Sequence, residues 1–179
     1  TMAEMKKRIL LVEDDALLGM MIRQQLEGAG YEVLTAMTGE EAVDLALTRG
    51  KGISLILMDI DLGMGMDGTE AAREILKNRN VPVLFLSSHT EQAIVSKTEQ
   101  ITNYGYVVKN SSFTVLDASI KMAFKLFEAH TSIELQKMEI EAGYEELQAT
   151  NENLRASEER LIQSETAVRS MTDFFLLLM

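Results

Sequence analysis

Cysteine is absent from this chain of 179 residues. That excludes a disulfide framework and a thiolate metal site, and makes a reducing, cytoplasmic setting the expectation. Proline occurs once, at Pro82, and ten of the eleven glycines lie at or before Gly105. The later part of the chain therefore has few residues that stop a helix. Two apolar stretches near the ends invite a targeting or membrane reading. However, residues 9–12, behind Lys6, Lys7 and Arg8, are cut off by Glu13, and residues 174–179 are only six long. Both fall far short of the roughly 20 residues that span a bilayer, so no membrane partner is expected. Basic groups are scarce, 17 against 28 acidic, for a formal net charge of −11. That balance argues against nucleic acid as a direct partner.

The composition changes along the chain. Residues 1–125 carry 13 basic and 17 acidic groups, whereas residues 126–179 carry 4 and 11. The expected organisation is a compact domain over 1–125 and a long helix over 126–179.

Within the compact part, short apolar runs at 9–12, 31–36, 53–58, 81–86 and 106–108 read as strands. Helical patterns lie at 16–27, 39–48, 69–77 and 91–101, and a fifth, capped by Ser111 or Ser112, meets no stop before Gly143. Leu17, Met20, Met21 and Leu26 are spaced for the buried side of the first helix. Ala42, Val43, Leu45, Ala46 and Leu47 are spaced for that of the second. Met20, Met21, Met58 and Met122 read as core fillers, Met64 and Met66 as part of a loop surface. Strands alternating with helices predict an α/β fold, a five-stranded parallel sheet with helices on both faces.

Polar residues follow the strands: Glu13, Asp14 and Asp15 after the first, Asp59 after the third, Ser87 after the fourth and Lys109 after the fifth. In an open parallel sheet the carboxyl ends of the strands share one crevice, so these distant residues converge. Carboxylates within about 5 Å repel by roughly 3 kcal/mol per pair at an effective dielectric of about 20. They recruit a cation or raise one another's pKa. Oxygen ligands without His or Cys favour magnesium. Lys109 adds a point charge for a phosphate oxygen, and an aspartate beside a glycine-rich loop can be a nucleophile toward phosphorus.

VEDD (12–15), LMDIDL (57–62), LFLSS (84–88) and GYVVK (105–109) resemble, in this order, the receiver domain of two-component response regulators. The resemblance covers roughly residues 7–127. It implies a flavodoxin-like fold and a signalling phosphoacceptor, not an enzyme beyond its own phosphorylation and dephosphorylation. Asp59 would take a phosphoryl group from a histidine kinase or phosphotransfer protein. Glu13, Asp14, Asp59 and the backbone carbonyl of Asp61 would hold Mg²⁺. Ser87 would be the switch hydroxyl, Tyr106 the aromatic that changes rotamer with it, and Lys109 the lysine of the family. Three features depart from the pattern. Leu62-Gly63 stands where Met-Pro is usual, and the loop to Asp67-Gly68 is one residue longer. Asn110 replaces a proline that follows the lysine in a cis bond, and a cis bond here would cost about 3 kcal/mol, so trans is expected. Asp61 and His89 occupy the positions that tune loss of the phosphoryl group.

From Leu126 every seventh residue is apolar: Ile133, Ile140, Leu147, Leu154, Leu161, Val168 and Phe175. A straight helix drifts about 20° per heptad against such a ladder, so the ladder stays on one face only in a supercoil. The second seam is Ala129, Gln136, Gly143, Thr150, Ser157, Ser164 and Met171 in one register. In the other it is His130, Lys137, Tyr144, Asn151, Glu158 and Glu165. The expectation is a parallel homodimer through residues 126–175, some 75 Å long if helical. It resembles signalling helices that lead to a PAS or histidine-kinase module. The chain is read as a fragment whose output domain would begin near Met179.

Two rival readings remain. Asp59-Ile-Asp61 mimics the paired aspartates of haloacid-dehalogenase-type phosphatases. That motif ends a first strand with Thr or Val where Gly63 stands, and its downstream acidic pair is missing, Asp117 being the only carboxylate between Lys109 and Glu128. The other is a receiver-shaped dimerisation module that works without phosphorylation.

Overall fold

The computed structural model describes residues 6–48, 52–88, 101 and 104–178. Their elements run β1 (Arg8–Val12), α1 (Ala16–Gly28), β2 (Glu32–Ala36), α2 (Gly39–Thr48), β3 (Ile53–Asp59), α3 (Gly68–Asn78), β4 (Val83–Ser87), β5 (Tyr106–Val108) and α4 (Phe113–Leu177). The helix expected over 91–101 lies, Ile101 apart, outside the described residues, as does His89.

The strands form one parallel sheet in the order β2-β1-β3-β4-β5. This is the expected doubly wound architecture, and its order reverses between β1 and β3. Alternate residues of each strand face opposite sides. Leu10, Val12, Ile56, Met58 and Phe85 meet Ala42 and Ala46 of α2 and Ala71, Ala72 and Ile75 of α3. Ile9, Leu11, Leu55, Leu57, Leu84 and Leu86 meet Ile22 and Leu26 of α1 and Leu116, Ile120, Ala123 and Phe124 of α4. Both faces are dry, which is why the strands read as unbroken apolar runs.

The predicted face of α1 is corrected. Leu17, Met20 and Met21 are 66%, 54% and 53% exposed, and the buried residues are Ile22 and Leu26, with Leu18 packed beside them. The stripe is Leu18-Ile22-Leu26, one residue per turn. The first half of α1 is apolar almost all round, so its pattern defines no unique phase. Met122 is likewise exposed, and so is Leu47, while Met58 is buried as expected. Met66 packs against the core, whereas Met64 is exposed.

Two acids near the strand ends act as helix caps. Asp15 Oδ1 accepts from the amides of Leu17 and Leu18. Asp67 accepts from Thr69 and Glu70, and the Glu70 carboxylate accepts from the Asp67 amide, a reciprocal capping box. No cis peptide occurs among the described residues, so Lys109–Asn110 is trans.

The chain divides into two compact units, Thr1–His130 and Thr131–Met179. The helix that closes the first is α4, which continues without a break to Leu177 as the missing stop signals predict. In the second unit the ladder residues are all exposed, from 56% at Leu154 to 73% at Ile140. No helix among the described residues is long and apolar enough to cross a membrane.

Candidate functional site

The site forms where β1, β3, β4 and β5 end. The amide of Glu13 donates to Ala36 O, that of Ile60 to Leu86 O and that of Lys109 to Ser87 O, so sheet-like pairing carries the backbone past the last strand residues. Glu13, Asp59 and Ser87 are buried, and Asp14 is exposed at the rim. Lys109 Nζ donates to Asp59 Oδ2 at 2.6 Å and to Glu13 Oε1 at 3.0 Å. Residues 50 and 96 positions apart in sequence from Lys109 thus meet at one ammonium. Asp59 Oδ1 accepts from the Asp61 amide at 3.1 Å, and Asp14 Oδ2 from the Gly63 amide at 3.1 Å. The predicted carboxylates and lysine therefore come together. Ser87 ends β4 in the same crevice, and Tyr106, at the start of β5, is half-buried against the core.

One ligand oxygen from each of Glu13, Asp14 and Asp59 lies within 4.8 Å of the others. Glu13 Oε2 is buried and accepts no hydrogen bond, although Lys109 Nζ stands 2.9 Å away. A buried carboxylate oxygen with spare capacity, in an all-oxygen donor set, fits a hard divalent cation. Burial pushes the Glu13 carboxyl above its usual range; Lys109 opposes this and the Asp59 charge adds to it. For Lys109, burial alone would lower the pKa, but its hydrogen bonds to Asp59 and Glu13 and their charges outweigh it, and the net shift is upward. The ammonium is therefore fixed in its charged form beside the two acids.

The sequence reading missed Glu40. Its Oε1 accepts from the Met66 amide at 2.9 Å, and that bond holds its carboxyl below the usual range. The contact ties the loop after Asp59 to the first turn of α2. Gly65, in the same loop, has φ +102, and a Cβ there would stand 2.7 Å from Glu40 Oε1. The capping box was the other miss, although D-x-x-E at 67–70 is its ordinary signature.

The family model described as response regulator receiver domain matches residues 9–121. The chain belongs to the response regulator receiver family. Receivers of this family bind Mg²⁺ at an acidic site and interact with histidine kinases or phosphotransfer proteins, and they are signalling proteins rather than ordinary enzymes. Among its relatives is the transcriptional regulatory protein PdtaR of Mycobacterium tuberculosis, 32% identical over 133 residues, which cover 74% of this chain and 63% of the relative. The receiver chain thus spans less than two thirds of that protein. A similar solved structure is the N-terminal domain of a response regulator/sensory box/GGDEF 3-domain protein from Carboxydothermus hydrogenoformans. It is 44% identical, covers 70% of this chain and 99% of that one, and has a TM-score of 0.64. The signal receiver domain of a modulated diguanylate cyclase from Desulfovibrio desulfuricans G20 matches at 31% identity and TM-score 0.63, over 70% of this chain and 98% of that one.

Proposed function

We propose that this receiver takes a phosphoryl group on Asp59 from a histidine kinase or phosphotransfer protein and passes the change to α4. The observation that carries the reading is the placement of the buried Asp59 carboxylate 2.6 Å from Lys109 Nζ, inside the Glu13–Asp14–Asp59 cluster. In the transfer, an Asp59 oxygen forms the new bond to phosphorus while the bond from phosphorus to the donor's imidazole nitrogen breaks. Lys109 balances negative charge on the phosphoryl oxygens. Glu13, Asp14, Asp59 and the Asp61 carbonyl would hold Mg²⁺, which when bound would supply further positive charge for the transfer. The amide of Asp61 keeps the Asp59 carboxylate oriented. Ser87 is the hydroxyl that donates to the transferred group, and Tyr106 follows it by changing rotamer.

Two copies pair in parallel through residues 126–175, and a PAS or kinase-type output module follows in the parent protein. Support comes from the heptad ladder, exposed along the tail, and from the sensory box that follows the receiver in the Carboxydothermus relative. A cytoplasmic location fits the lack of cysteine.

The test is incubation of the full chain with acetyl phosphate and Mg²⁺, followed by intact mass. The expected result is one added phosphoryl group, absent in Asp59→Asn. No adduct in the wild type would leave the phosphorylation-independent module as the better reading. Sustained phosphate release from small esters would support the phosphatase.

A further inference from the structure

We propose that two copies meet along a single stripe of α4 that begins on the receiver itself, at Val115 and Met122, and so fixes the register of the paired tail. The inference rests on the pairing set out above and names the surface that makes it.

Within the first unit, α4 turns Leu116, Ile120, Ala123 and Phe124 into the receiver core. On its outer side Val115, Met122 and Leu126 are 49%, 57% and 37% exposed. Leu126 is a rung of the tail's ladder, and Val115 and Met122 fall on the phase three after the rungs. Counting back seven from Leu126 reaches Ser119. The positions three after each rung read Met122, Ala129, Gln136, Gly143, Thr150, Ser157, Ser164 and Met171, with Val115 one heptad before Met122. The rival seam, four after each rung, leads back through His130 to Ala123 and Leu116. Those two are 0% and 6% exposed, already used by the receiver's own core. Only the first seam is open to a partner along the whole of α4.

Charge points the same way. In a parallel pair, each seam position faces its own copy. The rival seam would set Lys137 against Lys137, Glu158 against Glu158 and Glu165 against Glu165, burying like charges together. The chosen seam holds small or uncharged residues there, and it moves Glu158 and Glu165 to the flanks. Arg160 and Glu165 then occupy flanking positions five apart, where opposite charges on two parallel helices attract. The occupant is a second copy of this chain, because an uninterrupted seven-residue ladder needs a helix of the same repeat alongside it.

The cysteine-free sequence makes the test direct. Met122→Cys, Ser157→Cys and Glu158→Cys are each made in the full chain and oxidised mildly, and the mass of the wild type is measured by light scattering. The expected result is a dimer, with Met122→Cys and Ser157→Cys forming covalent dimers about tenfold faster than Glu158→Cys, since only facing Cβ atoms meet disulfide geometry. Cross-linking of Glu158→Cys at the rate of Ser157→Cys overturns the register. Cross-linking of Ser157→Cys without Met122→Cys overturns the extension onto the receiver while leaving the tail dimer intact. A monomeric or trimeric wild type removes the pairing itself.

Discussion

Gly68 lies against the backbone of Asp59 so closely that a Cβ on it would stand 1.8 Å from the Asp59 carbonyl oxygen. The Gly68 amide also donates to Ile60 O at 3.1 Å. The start of α3 is thus seated on the last turn of backbone that carries the proposed phosphoacceptor. Gly68→Ala is expected to destabilise the fold by about 1–3 kcal/mol, the usual cost of overpacking, and to slow labelling of Asp59 by acetyl phosphate. Urea unfolding followed by circular dichroism checks the first effect, intact mass against time the second.

Lys109 pairs one ammonium with two buried acids. Lys109→Met leaves Glu13 and Asp59 facing each other without a cation. A loss of about 3 kcal/mol is expected in metal-free buffer, as for other buried pairs broken from one side. Saturating Mg²⁺ should recover part of it, and denaturant midpoints with and without the ion measure the recovery. An equal loss in both buffers would mean that the ion does not bind between these acids.

Mg²⁺ should stabilise the wild type as any ligand of the native state does, by about 1.4 kcal/mol at ten times its dissociation constant. Excess EDTA removes the gain. Glu13→Gln and Asp14→Asn should each weaken it, as seen in thermal melts across a Mg²⁺ titration.

Alkali gives a separate handle on how α4 is held. Tyr31 donates its hydroxyl to Asp117 Oδ1 at 3.1 Å and packs near Phe124, 6.4 Å between ring centroids. Burial, then the Asp117 carboxylate, pushes the phenol up from 10.0 to about 12. A group whose pKa is raised by folding contributes stability that is complete below its unfolded value and is lost as pH climbs through the folded one. Between about pH 10 and 12 the wild type should therefore lose stability more steeply than Tyr31→Phe. Denaturant midpoints at several alkaline pH values, taken for both proteins, read out the difference in slope.

The fold and the meeting of Glu13, Asp14, Asp59, Ser87 and Lys109 at one end of the sheet were legible because a parallel sheet converts chain order into position. A residue just past a buried strand has one place to go. The face of α1 was not legible. Leu17, Leu18, Met20, Met21 and Ile22 offer apolar atoms in nearly every direction, and only the packing of Leu18, Ile22 and Leu26 against the sheet picks the phase. Asp15 stood among the converging acids, but the unpaired amides at the start of α1 claim it first, as those of α3 claim Asp67. Glu40 was invisible because its partner is a backbone amide 26 residues away, which leaves no side-chain signature.

Lys109 donates its main-chain amide to the Ser87 carbonyl at 2.8 Å. The hydroxyl-bearing end of β4 and the ammonium-bearing end of β5 are therefore laced together at the very residues proposed to greet an incoming phosphoryl group. A displacement of either strand end would therefore act on both at once. The sensing end of the molecule would then move as a plank rather than as two independent fingers, and arrival of the phosphoryl group would register as one event, not two.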